Sequence, residues 1–195
     1  MIEPTRRDFL KRSAAATVLA SGALSAAASA MPIAPQPAKP AQPTPTPAKI
    51  DVERRQFGKT DMKVAILGFG SAEIGFERTE QSVVDKILNA ALDQGLNVVD
   101  TAECYVDSEE QIGRAIAGRR KEYFLFSKCG HFVKEGGRGD AWDKDAVLHS
   151  IERSLTRCKT DVLDLIQLHS CSLETLQKGE CIEALEAARK QGKVR

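Results

Sequence analysis

Polar and apolar residues follow two regimes along the chain. Ser13 to Ala30 is uncharged and weakly apolar, and a proline-rich segment follows up to Ile50. From Asp51 onward, short apolar runs alternate with stretches of helical periodicity. Val64 to Gly70 is apolar and closed by glycine, as suits a buried parallel strand. The spacing of Val83, Val84, Ile87, Leu88 and Ala91 predicts a helix over 79–94, with Gly95 as its C-terminal cap. Leu96 to Asp100 reads as a second strand. Ser108 and Gln111 have capping-box spacing and are expected to open a short helix through Ile112, Ala115 and Ile116. Tyr123 to Ser127 reads as a third strand, and Gly130 to Gly139 as a glycine-rich loop. Asp143 can cap a helix carrying Val147, Leu148, Ile151 and Leu155. Val162 to Leu168 is the fourth strand. Glu180 to Gln191 is the fourth helix, with Cys181, Leu185 and Ala188 on one face and Gly192 at its end, and Lys193 to Arg195 begins a fifth strand.

Four successive βα units imply an α/β fold with a parallel sheet and right-handed crossovers. A doubly wound sheet and a (β/α)8 barrel both satisfy this pattern. Gly68-x-Gly70 lacks the third glycine of a dinucleotide-binding G-x-G-x-x-G turn. Phe76-Glu-Arg78 is also expected to separate this turn from the next helix, which argues against a Rossmann start.

Charge is nearly balanced, 28 Lys and Arg against 27 Asp and Glu, which excludes a nucleic-acid binder held by bulk charge. The basic residues that matter come first. Thr5-Arg6-Arg7-Asp8-Phe9-Leu10-Lys11 precedes the uncharged stretch, which closes on Ala28-Ser29-Ala30. A positive start, a mildly apolar middle and an A-x-A end describe an export signal over 1–30, and the paired arginines are similar to the twin-arginine motif. The twin-arginine export machinery is then a partner, and the mature protein is expected in the periplasm or outside the cell. Residues 31–50 contain seven prolines and read as a stiff, extended spacer. The folded domain is expected over 51–195.

Polar residues gather where the predicted strands end, the face on which parallel βα sheets build sites. Gly70 and Ser71 follow the first strand; Asp100, Glu103, Cys104 and Tyr105 follow the second. Lys128, Cys129 and His131 follow the third, and His169 and Cys171 the fourth. A lysine near a tyrosine favours the phenolate, and an aspartate keeps that lysine charged. Such a tyrosine can give a proton to a carbonyl oxygen that a histidine orients. The five cysteines form no C-x-x-C pair. Cys104, Cys129, His131, His169 and Cys171 could nonetheless supply a tetrahedral zinc site, or be small residues of the core and loops.

Asp100-Thr-Ala-Glu-Cys-Tyr105, with Ser108-Glu-Glu-x-Ile-Gly113 behind it, resembles the aldo-keto reductase signature. Ser127-Lys128 and Leu168-His169 match the remaining two catalytic positions, and the resemblance runs from about Arg55 to Arg195. It implies that Tyr105 is the proton donor, that Lys128 and Asp100 tune it, and that His169 orients a small-molecule carbonyl substrate. It also implies NADPH as hydride donor, with Gly70, Ser71 and Asp100 near its nicotinamide-ribose end, and no metal. The family's barrel has eight strands over roughly 250 residues. This sequence is therefore expected to form the N-terminal half of a (β/α)8 TIM barrel, from a truncated or fragmentary chain. Self-association or a complementing chain could close it. The alternative is a non-catalytic exported half-barrel acting as a binding or assembly module.

Overall fold

The computed structural model describes residues 50–134 and 137–195. The export signal predicted over 1–30 and, apart from Ile50, the proline-rich spacer lie outside the described residues.

The domain opens with an antiparallel hairpin of β1 (Arg54–Gln56) and β2 (Lys63–Ala65). The apolar run read as one strand from Val64 to Gly70 is thus divided, and only β3 (Phe69–Gly70) joins the parallel sheet. The cause is Asn97, whose buried side-chain amide accepts from the Ala65 N–H at 2.7 Å and donates to the Lys63 carbonyl at 2.9 Å. This clip ties β2 to the residue just before Val98, and Ile66 and Leu67 are left 52% and 61% exposed between β2 and β3. An apolar run by itself does not report such a break.

The parallel sheet has the order β3, β4 (Val98–Asp100), β5 (Phe124–Cys129), β8 (Leu165–Leu168). Its helices are α2 (Gln81–Asp93), α3 (Ser108–Ile116), α4 (Lys144–Cys158) and α6 (Glu180–Lys190). Leu88, Ile112, Ile151 and Ala184 from these helices join Val99, Leu125 and Leu163 in one apolar core. A doubly wound sheet reverses its strand order and is covered on both faces. Here the order never reverses and all four helices share one core, so the sheet is a partial (β/α)8 barrel. A parallel bridge between Leu163 and Val194 brings the last residues back beside β8, where the fifth strand was expected.

Three further elements differ from expectation. The short helix α1 (Ala72–Phe76) follows directly on Gly70 and Ser71, where a gap was expected. The glycine-rich loop is a second hairpin, β6 (His131–Lys134) with β7 (Gly137–Asp140), and α5 (Leu173–Lys178) precedes α6. Glycine signalled a loop there, but hairpin pairing satisfies the same backbone groups. Ser108 does not cap α3: Asp107 is the N-cap, and the buried Ser108 hydroxyl bonds to Ser71 and Thr101 instead. Gln111 reaches the Thr79 carbonyl at 2.7 Å. Asp143 does cap α4, accepting from the Ala146 N–H at 2.9 Å, a contact that stabilises a helix by about 1 kcal/mol.

Candidate active site

Strand register decides which polar side chains can meet. Asp100 lies opposite Phe126 in the β4–β5 ladder, and Lys128 is two residues further along β5. Because side chains alternate with a period of two, all three point to the face away from the helices. Phe57, in the turn of the first hairpin, packs on Phe126 there with ring centroids 5.4 Å apart.

Lys128 bridges this face. Its ammonium pairs with the Asp100 carboxylate and donates to the Thr101 carbonyl at 2.8 Å. It also sits 4.9 Å from the centroid of the Tyr105 ring. The Tyr105 ring meets Phe76 edge-on at 5.4 Å and His169 edge-on at 5.6 Å. His169 follows β8 directly, and its backbone N–H donates to the Cys129 carbonyl at 3.0 Å. Asp100, Tyr105, Lys128 and His169, drawn from three strand ends, therefore converge on one cluster. It can hold an ammonium against a phenol, with an imidazole edge-on to the same ring.

The loop that carries Tyr105 is tightly held. Its N–H bonds to the Ala102 carbonyl at 3.0 Å, and its carbonyl accepts from the Ser108 N–H at 3.0 Å. Gly75 of α1 packs on this carbonyl so closely that a β-carbon at Gly75 would lie 1.9 Å from it. Two buried acids to which the sequence reading gave no role, Glu103 and Glu109, anchor the same region. Glu103 pairs with Arg153 of α4 at 2.6 Å and with the Ser150 hydroxyl. Glu109 accepts from Ser127 at 2.7 Å and lies 3.4 Å from Arg157. Burial pushes the Glu109 carboxyl above the usual range, against the pull of Ser127 and Arg157. Helical spacing carried a signal for Glu109, which falls on the stripe of Ile112 and Ile116 and so had to be buried. A cleft of about 500 Å³ is lined by Glu103, Phe132, His149 and Arg153, and none of the four converging residues lines it.

Of the three residues expected near a nicotinamide ribose, two lie open. Gly70 is exposed, with nothing within 4 Å of where a β-carbon would stand, and the Asp100 side chain is about one third exposed. Ser71 is fully buried, and its hydroxyl donates to the Asp100 carbonyl at 2.8 Å and accepts from Ser108 at 2.8 Å. It braces the ends of β3 and β4. The zinc alternative does not assemble: among the described residues, no three His, Cys, Asp or Glu side chains are grouped to hold a metal ion. The Cys129 thiol is buried in the core, and its hydrogen-bond partner is the Gln167 carbonyl at 3.5 Å.

The fold is a partial β/α barrel with an Asp, a Tyr, a Lys and a His gathered at its strand ends, and residues 66–195 match the aldo/keto reductase family model. The chain belongs to that family. It is 35% identical over 148 residues to YqkF, an uncharacterized oxidoreductase of Bacillus subtilis, covering 74% of this chain and 47% of that protein. It is 31% identical over 137 residues to the methylglyoxal reductase YeaE of Escherichia coli, covering 69% and 45%. Among solved structures, it is similar to an aldo-keto reductase from Klebsiella pneumoniae in complex with NADPH. That match has 33% identity and a TM-score of 0.61, over 74% of this chain and 48% of the other. The holo form of an aldo-keto reductase from Bacillus halodurans aligns with a TM-score of 0.68 and 32% identity, over 74% and 48%. The chain spans about half the length of the curated relatives it matches.

Proposed function

We propose that this chain carries the proton-transfer residues of an exported, NADPH-dependent carbonyl reductase. The observation that carries the reading is the Lys128 ammonium, held between the Asp100 carboxylate and the Tyr105 ring. Tyr105 gives its phenolic proton to the carbonyl oxygen as that oxygen becomes an alkoxide. The fixed ammonium stabilises the phenolate left behind, and Asp100 keeps that ammonium in place and charged. His169, edge-on to Tyr105, donates a hydrogen bond to the same carbonyl oxygen and orients it.

NADPH, the ligand in the Klebsiella pneumoniae structure, supplies the hydride when bound. Gly70 and Asp100 would hold its nicotinamide-ribose end. The open space over Gly70 and the partly exposed carboxylate at the neighbouring strand end leave both accessible to such a group. Ser71 contributes by fixing the Asp100 backbone. Export by the twin-arginine route belongs to the same reading and is supported by the arginine pair and the A-x-A end.

Methylglyoxal, named for the Escherichia coli relative, is a suitable first probe. Carbonyl-dependent NADPH oxidation is expected with the native protein. In Tyr105→Phe it should fall by two to four orders of magnitude, roughly the contribution of a positioned general acid, with NADPH affinity by fluorescence titration nearly unchanged. Undiminished turnover in Tyr105→Phe would refute the assignment. Absence of both NADPH binding and turnover would favour the non-catalytic module.

A further inference from the structure

Cys104 lies between Glu103 and Tyr105, is buried, and places its Sγ 3.2 Å from Nδ1 of His169. We propose that Cys104 is a positioning residue whose thiol donates to Nδ1 and holds His169 in the tautomer that carries its ring proton on Nε2. The proposal rests on the reading of His169 as the group that orients the carbonyl oxygen, and adds what keeps it competent to do so.

The direction of the bond follows from the chemistry of the pair. An unprotonated imidazole nitrogen is a good acceptor, whereas a thiol sulfur is a weak one. Two neutral groups in contact therefore pair as S–H to Nδ1. With Nδ1 accepting, the single ring proton of a neutral histidine stands on Nε2, and only a protonated nitrogen can donate to a carbonyl oxygen. The ring contacts and the backbone bond of His169 do not make this choice. The Tyr105 and His131 rings meet His169 edge-on at 5.6 and 5.5 Å, which fixes the plane of the imidazole without distinguishing its nitrogens. The backbone bond from His169 to Cys129 fixes the chain but not the ring. The thiol touches one named nitrogen, so it sets both the tautomer and the ring flip.

The chain has three histidines, so each can be assigned in a ¹⁵N-histidine spectrum of the full 195-residue protein by single His→Gln variants. His169 is expected as the Nε2–H tautomer in the native protein and in Cys104→Ser, whose hydroxyl can also donate. In Cys104→Ala a substantial Nδ1–H population should appear. With NADPH and a carbonyl probe, Cys104→Ala should lose about tenfold in kcat, the weight of one hydrogen bond, with a smaller change in KM. Cys104→Ser should recover most of it. An Nδ1–H tautomer in the native protein would overturn the proposal. So would an unchanged His169 spectrum in a folded Cys104→Ala. If Cys104→Ala does not fold, the native and Cys104→Ser spectra decide by the same criterion. The tautomer is read without turnover, so its outcome is separate from that of Tyr105→Phe, which tests the reductase reading alone.

Discussion

Arg153 is a half-exposed helix residue whose replacement should be unexpectedly damaging. Its side chain is 44% exposed, while its partner Glu103 is 1% exposed. Surface substitutions usually change stability by less than about 0.5 kcal/mol. Arg153→Met, however, strands a buried carboxylate, and breaking a buried pair in this way costs about 3–5 kcal/mol. Two features reduce the figure. The Ser150 hydroxyl still donates to Glu103, and water can enter where the half-exposed guanidinium stood. The expected loss is therefore about 2 kcal/mol. Glu103→Gln keeps the shape, removes the charge and leaves Arg153 solvated, so it should cost only about 1 kcal/mol despite being the buried member. In the double variant the stranded charge is gone, and the two losses should fall short of additivity by at least 1 kcal/mol. Urea unfolding followed by circular dichroism, with the slopes compared to confirm a common two-state transition, measures all four proteins. If Arg153→Met is no more damaging than Glu103→Gln, or the losses add, Glu103 does not depend on Arg153 as described.

Three further outcomes follow from the same structure. Burial pushes the Cys129 thiol up to about 12 and the Cys158 thiol well above its ordinary value; the Cys171 thiol is raised as well, but it is only partly buried and so open to reagent. Ellman's reagent should therefore label Cys171 first and leave Cys129 and Cys158 unreacted until the protein unfolds; early labelling of either would contradict their placement. The unfolded chain loses the Cys129 proton near 9 while the folded protein retains it. Folding stability should then fall as pH rises from about 9 toward 12, by up to about 1.4 kcal/mol per unit from this group. Urea midpoints of the native protein should decline more steeply over that range than those of Cys129→Ala, and parallel declines would count against it. Gly75→Ala places a methyl group against the Tyr105 carbonyl. It should displace the Tyr105 loop and lower turnover by at least tenfold, since misplacements near 1 Å can cost about a hundredfold; full activity with an unshifted Tyr105 signal by NMR would show that the loop tolerates the group.

Local period carried most of the fold. Helical stripes such as Val84 and Leu88, or Val147, Ile151 and Leu155, and the apolar cores of the later strands are visible in sequence because each repeats within a few residues, although Val83 and Ile87, read into the same stripe, are exposed. The four candidate residues were legible as part of a larger set at the strand ends, from which their chemistry and the resemblance to aldo-keto reductases singled them out. Each stands at a strand end or in the loop that follows it, and these loops in a parallel βα sheet share one face.

The features that sequence concealed depend on contacts between distant segments. Asn97 reaches back over 32 residues to divide the first apolar run. Ser108 abandons a local cap for partners on two other elements. Glu103 finds Arg153 across 50 residues, and Cys104 finds His169 across 65. Sequence by itself determined the order of the four parallel strands and their four main helices, and the chemical types gathered at the strand ends. Only the tertiary structure decided that the sheet is singly wound, that Lys128 stands between Asp100 and Tyr105, and that Ser71 braces the strand ends. The physical reason is that periodicity records which side of an element is buried, whereas a polar side chain's partner is chosen by packing and register among elements far apart in the chain.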